Sequence, residues 1–250
     1  MSSRSEIQND KTTFLRLKVK RLLDLIVSAT MLVLLSPVLL IIAAAIILKD
    51  GRPVFYRQIR VGQRGREFTM IKFRTMTKGA DASMSSLQDQ NDRSGPLFKI
   101  NDDPRVTFTG RVLRRTSLDE LPQLINVFFG TMSLVGPRPA LPSEVAHFPD
   151  KLRLRESVPQ GITGLWQLNG RLDSDFGKYA ELDLRYVETW SLRQDLVILV
   201  RTPFVVFSQA LKRHAISTPA AQQSIVEPSE STAADSSSSS NDACGLDISA

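Results

Sequence analysis

The longest apolar stretch of the chain covers residues 25–48 and contains no charged side chain. As a straight helix, these 24 residues would extend about 36 Å, enough to cross a hydrocarbon core of about 30 Å. Ser36 and Pro37 lie at its middle, where proline removes a backbone hydrogen bond and favours a kink. Basic residues flank both ends, and positive charge prefers the cytoplasmic side. We expect a helix over 20–49 that enters a membrane, bends and returns; a plain single-pass helix is the alternative.

Two β-prone segments follow, at 54–61 and 67–76, and the glycine-containing turn between them predicts a β-hairpin. Lys72 and Arg74 are two positions apart in the second strand, so they would point to the same face. A solvated edge strand would show the same pattern. The polar segment 77–95 has few hydrophobic residues and predicts a loop.

The C-terminal third predicts two helices and a tail. Helical periodicity covers 178–187 and 191–211. The second helix is apolar but contains Arg201 and Pro203 and is too short to span a bilayer, which suits a helix lying at the lipid headgroups. Burial in a protein core is the competing interpretation. Residues 216–250 are rich in Ser, Ala and acids and have too little apolar surface to fold, so we expect a disordered tail.

The charge distribution shows that residues 1–215, the body of the chain, are strongly basic. The whole chain has a net charge of +6, but residues 216–250 hold five acids and no Lys or Arg. Residues 1–215 therefore carry 32 bases against 21 acids, a balance of +11. Such a body favours an anionic partner: nucleic acid, phospholipid headgroups or a phosphorylated substrate. The apolar stretch favours the last two.

Cysteine and histidine usage excludes two classes of site. Cys244 is the only cysteine, so one chain forms neither a disulfide framework nor a Cys-based zinc site, as expected in a reducing compartment. His147 and His214 are too far apart in sequence to suggest a metal site. The N-terminal residues do not have the pattern of a cleavable signal, because the apolar run is too long.

Adjacent acids at Asp119 and Glu120 follow an arginine-rich stretch. Carboxylates surrounded by guanidinium groups suit phosphate chemistry, because one acid can attack phosphorus or hold a divalent cation while arginines neutralise the anionic oxygens. The segment 117–120 also matches a capping box, with Ser117 as N-cap, so the acids could simply begin a helix. That alternative gives Asp119 no role, and Pro122 would disturb the first turn.

Two further segments carry candidate binding residues. In 136–139 two prolines flank Arg138 and restrict the backbone that presents it, which suits anion recognition; a rigid connector is the alternative. The glycine-rich segment 161–167 contains Trp166 and is followed by Arg171, and here a structural turn is an equally good interpretation.

Four motifs, at 72–76, 117–123, 135–139 and 161–164, resemble in order and spacing those of the bacterial sugar transferases. These are the monotopic phosphoglycosyl transferases that initiate exopolysaccharide and O-antigen synthesis. The similarity extends from about Lys20 to Thr202 and is greatest to the short galactosyl- or glucosyl-phosphate transferases. It implies an α/β fold: a membrane-associated monotopic domain with an N-terminal re-entrant helix, a small β-hairpin and interfacial amphipathic helices. The expected organisation is a tail (1–19), the re-entrant helix (20–49), a cytoplasmic catalytic domain (50–215) and a disordered tail (216–250).

The resemblance also implies an activity. It is transfer of a sugar 1-phosphate, galactose or glucose, from a UDP-sugar to undecaprenyl phosphate at the inner face of the bacterial cytoplasmic membrane, with release of UMP. Asp119 would be the nucleophile that forms a covalent phosphosugar intermediate, and Glu120 would hold Mg²⁺. The residues that match substrate-binding positions of the family are Lys72, Arg114, Arg138, Arg171 and Asp183. The expected partners are the two substrates, anionic inner-membrane lipids and, as a candidate, a second copy of the chain in a homodimer.

Two departures from the family pattern stand out. Thr131 replaces a common aspartate in the segment 130–133, and Gln160, before Gly161, is an inserted or shifted residue. A non-catalytic membrane scaffold is the strongest rival function, and the intact acid pair argues against it. The sequence lacks the interleaved aromatic and basic residues of RNA-binding modules, so we expect no nucleic-acid partner.

Overall fold

The computed structural model describes residues 2–80, 82, 91, 93–98, 100, 103–169 and 175–216, with side chains described from residue 15 to residue 208 of these ranges. The helices are α1 Ser2–Leu34, α2 Ser36–Asp50, α3 Phe108–Thr116, α4 Gln123–Phe129, α5 Pro142–Val145, α6 Leu165–Asn169, α7 Phe176–Glu188 and α8 Leu192–Ile216. The strands are β1 Phe55–Val61, β2 Glu67–Phe73, β3 Ser133–Val135 and β4 Gly161–Thr163, and short 3₁₀ helices cover Gln63–Gly65, Leu118–Glu120 and Asp150–Ser157. The predicted α/β class with a small β-hairpin is confirmed. The chain divides into a unit over Met1–Arg213 and a second over His214–Ala250.

The apolar stretch forms two helices joined by a bend. The parts Leu15–Leu34 of α1 and Ser36–Asp50, which is α2, meet at 60°. Pro37 lies in the first turn of α2, where its missing N–H removes no intrahelical hydrogen bond. The predicted kink is confirmed by the 60° bend, and Pro37 begins the second helix instead of interrupting a continuous one. Within the described part of the chain, no single helix is long and apolar enough to cross a membrane, whereas this bent pair passes that test together.

Polar side chains near the middle of α1 attach it to the rest of the protein. Lys20 Nζ lies 2.6 Å from Asp195 Oδ2 of α8 and donates to the Val135 carbonyl at 2.9 Å. Asp24 accepts a hydrogen bond from the Leu134 N–H at 3.0 Å. Both α1 side chains are buried, so burial without these partners would be costly. The contacts join α1 to β3 and α8, next to the motif that contains Arg138.

The β-hairpin is antiparallel, and Val61 pairs with Glu67 next to the turn. The second strand ends at Phe73, three residues before its predicted end at 76. Arg74 is buried, and its Nη2 donates to the carbonyls of Asp50 and Gly51, where α2 ends. Arg74 lies one residue beyond the end of β2, and of these two basic residues only Lys72 lines the cavity of the candidate active site.

The strands β3 and β4 form a parallel pair, and their residues Leu134, Val135 and Ile162 pack in one of the hydrophobic core clusters. A Cβ atom on Gly136 would lie 2.2 Å from the Pro159 carbonyl oxygen, and one on Gly161 would lie 2.1 Å from the Gly136 nitrogen. These glycines are therefore needed for close contact between backbones. The same core buries Ile198 of α8, while Leu196 and Phe204 of that helix stay exposed. The core and surface interpretations of α8 each describe one of its faces.

Candidate active site

A cavity of about 280 Å³ lies between the hairpin, the Leu118–Glu120 turn, the 136–139 motif and α6. Its lining brings together residues from all four sequence motifs. The charged residues that line it are the basic Arg60, Lys72, Arg93, Arg114 and Arg138 and the acidic Asp119, Glu120 and Glu144. Among the described residues, positive groups therefore outnumber negative ones in this lining, as suits an anionic ligand.

The acid pair lies in a 3₁₀ turn between α3 and α4 rather than at the start of a helix. Ser117 ends α3 in the left-handed conformation, with φ of 59°, and makes no side-chain capping hydrogen bond to the turn that follows. The capping-box alternative is thus not supported. Asp119 is only 8 % exposed, although it is a charged residue. A buried carboxylate that lines a cationic cavity is available for chemistry as well as structure.

Lys72 and Arg114 place positive charge beside this pair. Arg114 donates from Nε to the Thr75 hydroxyl at 2.8 Å, which fixes its direction. Burial, together with repulsion from Arg60, lowers the pKa of Lys72 to about 8, and attraction to Asp119 partly opposes the shift. Lys72 is consequently a cation whose charge changes within an accessible pH range.

Arg138 faces the cavity beside a second buried acid, Glu144 of α5. Its Nη1 lies 3.5 Å from Glu144 Oε2, and Arg60 Nη1 lies 3.7 Å from the same oxygen. Glu144 also accepts from the Leu141 N–H at 2.7 Å, which ties it to the end of the motif. Burial and the charge of Arg138 lower the pKa of Arg60 to about 10, well above neutrality. Two guanidinium groups therefore share one carboxylate, leaving excess positive charge for a ligand.

The predicted site residues divide into three groups. Asp119, Glu120, Lys72, Arg114 and Arg138 line the cavity together, as expected from the motifs. Asp183 is not in the lining; it is buried in α7, where its Oδ2 lies 2.8 Å from Arg155 Nη2. Burial raises the pKa of Asp183 to about 6, with Arg155 opposing the shift. Arg171 lies outside the described residues, as do much of the predicted 77–95 loop and residues 217–250 of the tail.

Several members of the lining received no site role from the sequence, among them Arg60, Arg93, Gln123 and Glu144. Arg60 looked like an ordinary charged residue of an amphipathic strand, and Glu144 lies in a four-residue helix with little periodicity. Trp166, which lies in the candidate binding segment 161–167, also lines the cavity. In the structure the Arg93 guanidinium carbon lies 5.0 Å from the Trp166 ring centre, so the pair forms one wall.

Neither of the two departures from the family motifs lines the cavity, although Gln160 directly precedes Gly161, which does. The Thr131 hydroxyl donates to the Asn126 carbonyl at the end of α4. Gln160 is buried, and its side-chain amide donates to the carbonyls of Arg155 and Val158, at 3.0 and 3.1 Å. The glutamine thus satisfies local backbone groups and leaves the acid pair in place.

The donor set fits a metal ion only together with a substrate. Within the described ranges, no cluster of three or more His, Cys, Asp or Glu residues is placed to hold a metal. Mg²⁺ is commonly bound by one or two carboxylates plus substrate phosphates, and it keeps several waters. Asp119 and Glu120, adjacent in the lining of a cationic cavity, match that mode.

The buried Asp119 and the half-buried Glu120 lie together in a cationic cavity, on a small α/β domain with a bent apolar helix pair. These features define an enzyme that acts on anionic substrates. The family model described as bacterial sugar transferase matches residues 15–209, and the chain belongs to this family. The exopolysaccharide production protein ExoY of Rhizobium meliloti is 40% identical over 195 residues, covering 76% of this chain and 86% of the relative.

Two other relatives are longer proteins, and this chain covers 40% of each of them. The undecaprenyl-phosphate galactose phosphotransferase of Salmonella typhimurium is 39% identical over 193 residues, covering 75% of this chain and 40% of the relative. The UDP-glucose:undecaprenyl-phosphate glucose-1-phosphate transferase of Klebsiella pneumoniae is 42% identical over 196 residues, covering 75% of this chain and 40% of the relative.

Proposed function

We propose that this enzyme transfers a sugar 1-phosphate, galactose or glucose, from a UDP-sugar to undecaprenyl phosphate and thereby initiates exopolysaccharide synthesis. The observation that carries the proposal is the buried Asp119 in a cavity lined by Lys72, Arg114 and Arg138. A diphosphate substrate supplies the negative charge that such a lining favours. The names of the relatives, which specify galactose and glucose phosphate transfer to undecaprenyl phosphate, support the same substrates.

In the first step, a carboxylate oxygen of Asp119 attacks the phosphorus that carries the sugar. The bond from that phosphorus to the bridging oxygen breaks, and UMP leaves with the electron pair. The product on the enzyme is an aspartyl phosphosugar. Lys72, Arg114 and Arg138 hold the equatorial and leaving oxygens, so positioning and charge neutralisation supply most of the catalysis.

In the second step, an oxygen of undecaprenyl phosphate attacks the same phosphorus. The bond to Asp119 breaks, the carboxylate is restored, and an undecaprenyl diphosphate sugar is released. The acceptor must reach the cavity from a lipid phase, and we propose that the bent pair of α1 and α2 enters the inner membrane from the cytoplasmic side. The exposed apolar face of α8, which includes Leu196, Val200, Phe204 and Phe207, suits the headgroup layer beside it.

Glu120 is the residue we assign to Mg²⁺, together with the substrate diphosphate. Bound Mg²⁺ would neutralise charge on the phosphate oxygens. Asp119 keeps its oxygen available for attack because Glu120, its neighbour in the same turn, takes the metal-holding role. Separate substitutions of Asp119 and Glu120 distinguish the role of nucleophile from the role of metal ligand.

The direct test is an assay of the purified full-length chain with undecaprenyl phosphate, Mg²⁺ and a panel of UDP-sugars, in which UMP release is followed. We expect UMP to appear with UDP-galactose or UDP-glucose and to depend on the lipid phosphate for multiple turnover. A folded protein that binds these lipids but releases no UMP with any UDP-sugar would favour the scaffold alternative.

The pH dependence should report the lysine of the cavity. Lys72 has a pKa of about 8, lowered mainly by burial, so it is charged below that pH and loses its charge as the pH rises through it. We expect kcat/KM for the UDP-sugar to fall above pH 8, approaching about tenfold per pH unit, because this parameter reports the free enzyme. Lys72→Arg stays charged and should lack that fall. A fall of equal size in the arginine variant would assign it to another group.

The membrane topology is testable through the single cysteine. If α1 and α2 enter and return, both termini face the cytoplasm. Cys244 reports the C terminus, and Ser3→Cys in a Cys244→Ser background reports the N terminus. We expect an impermeant thiol reagent to label both only in inside-out vesicles. Replacing Ser36 and Pro37 by leucine should straighten the pair and expose the N-terminal cysteine outside. External labelling of Ser3→Cys without that replacement would indicate a single-pass helix.

A further inference from the structure

Arg155, in the 3₁₀ helix Asp150–Ser157, is a large, charged and fully buried side chain that has no role in the proposed mechanism. The residue is 1 % exposed and is not part of the cavity lining. A guanidinium group that is this deeply buried requires compensating partners, because the desolvation cost of a charge is high. The identity of its partners therefore indicates what it holds in place.

Its partners belong to α7 and to the motif that carries Arg138. Arg155 Nη2 donates to the Arg138 backbone carbonyl and lies 2.8 Å from Asp183 Oδ2. The guanidinium carbon lies 5.4 Å and 5.2 Å from the ring centres of Phe148 and Tyr179, within the range of cation–π contacts. An ion pair and two aromatic rings thus fix the side chain, and its guanidinium group contacts the Arg138 carbonyl.

The carbonyls of residues 137–140 all accept hydrogen bonds, which shows how closely this backbone is held. Pro137 O accepts from the Gly161 N–H at 2.9 Å, and Ala140 O accepts from the Val61 N–H at 2.9 Å. Between them, the Arg138 carbonyl accepts from Arg155, and the Pro139 carbonyl accepts from Arg60 Nη1 at 3.0 Å. Four consecutive carbonyls therefore have donors, two from backbone and two from arginine side chains. Only the Arg155 donor comes from a side chain outside the cavity.

We propose that Arg155 is a positioning residue that holds the Arg138 carbonyl and thereby directs the Arg138 guanidinium into the cavity. Asp183 acts one step further away, because it orients Arg155. The inference rests on the proposed function in one respect: Arg138 is taken to bind substrate phosphate. A displacement of about 1 Å in a charged group that positions substrate can cost about 100-fold in rate, so a backbone contact behind the site is sufficient to affect it.

A double-mutant cycle between Arg155 and Arg138 tests the coupling. Arg155→Lys keeps the charge beside Asp183 but loses the planar fork, and we expect kcat/KM to fall by about 10- to 100-fold, mainly through a higher KM for the UDP-sugar. In an Arg138→Gln background, the same change should have less than about a threefold effect, because its target is already absent. Arg153→Lys, an exposed residue of the same 3₁₀ helix, is the matched control and should be neutral.

Hydrogen exchange of the backbone provides a readout that needs no activity. The Gly136 N–H bonds to the Thr163 carbonyl, and the Leu141 N–H bonds to Glu144, so both amides should be protected. We expect Arg155→Lys to speed their exchange while amides in α4 stay unchanged. If the lysine variant does not fold, Phe148→Leu removes one ring from the guanidinium, keeps every charge and should change both readouts in the same direction.

Two results would overturn the proposal. One is a folded Arg155→Lys enzyme with unchanged kinetics and unchanged exchange in 136–141. The other is a loss of kcat/KM that multiplies fully with that of Arg138→Gln, since this would show that Arg155 acts independently of Arg138. A wild-type protein without any transferase activity would instead contradict the proposed function, while the exchange experiment would still test the backbone contact.

Discussion

Replacing Asp119 by asparagine is expected to reduce UMP release by about 10⁴-fold or more. The substitution keeps the size of a side chain that is only 8 % exposed, so the fold should persist. An amide oxygen is a much poorer nucleophile than a carboxylate, and the covalent step is therefore lost. The measurement is single-turnover UMP release with UDP-sugar, before and after addition of undecaprenyl phosphate.

Trapping the intermediate gives the stronger test of the same residue. Wild-type enzyme quenched after mixing with UDP-sugar alone should carry the sugar phosphate on the peptide that contains Asp119, and the asparagine variant should carry none. Asp150→Asn, at an exposed acid, is the matched control and should behave as the wild type does. Mass spectrometry that found the phosphosugar on a different residue would remove Asp119 from the nucleophile role.

The second large effect is expected at Glu120. A neutral amide is a poor ligand for a hard cation that prefers anionic oxygens, so Glu120→Gln should raise the Mg²⁺ concentration for half-maximal activity by about 10- to 100-fold. Added Mg²⁺ should restore part of the activity, in contrast to Asp119→Asn, which no metal concentration should rescue. Glu181→Gln, at an exposed position of α7, is the matched control. An unchanged Mg²⁺ titration in the Glu120 variant would exclude this residue from the metal site.

The backbone conformation around Asp119 and Glu120 explains why two adjacent acids can have different roles. Both lie in one 3₁₀ turn, where successive side chains point in different directions. The turn exists because Ser117 adopts a left-handed conformation that ends α3, and Pro122 then precedes α4. A regular helix over this segment would have used the acids as a cap, and the departure from it makes both available to the cavity.

Several features followed from local pattern alone. The bend at Ser36 and Pro37, the hairpin around residues 62–66 and the two C-terminal helices were all predicted close to where they occur. Each depends on short-range physics: the missing N–H of proline, the turn preference of glycine, and the spacing of apolar residues along a helix. The acid pair and its flanking arginines were also visible, because residue types in one short segment define their chemistry.

Other features required contacts between segments far apart in the chain. Arg60 and Glu144 are separated by 84 positions, yet one carboxylate oxygen is shared by Arg60 and Arg138. Arg57 and Arg60 of β1 are three positions apart and therefore point to opposite faces of the strand, but the strand pattern does not say which face the rest of the protein covers. Asp183, predicted to bind substrate, is not among the residues that line the cavity, and its Oδ2 lies 2.8 Å from Arg155 Nη2.

The sequence by itself determined the family, the acid pair, the basic motif residues and the bend in the apolar segment, because these depend on residue identity and short-range geometry. Only the tertiary structure decided which charged groups share the cavity and which support it from behind. That distinction depends on burial and on the direction of each side chain, as the different positions of Lys72 and Arg74 show. Long-range packing sets both, because the cost of burying a charge is offset only by partners that folding brings together.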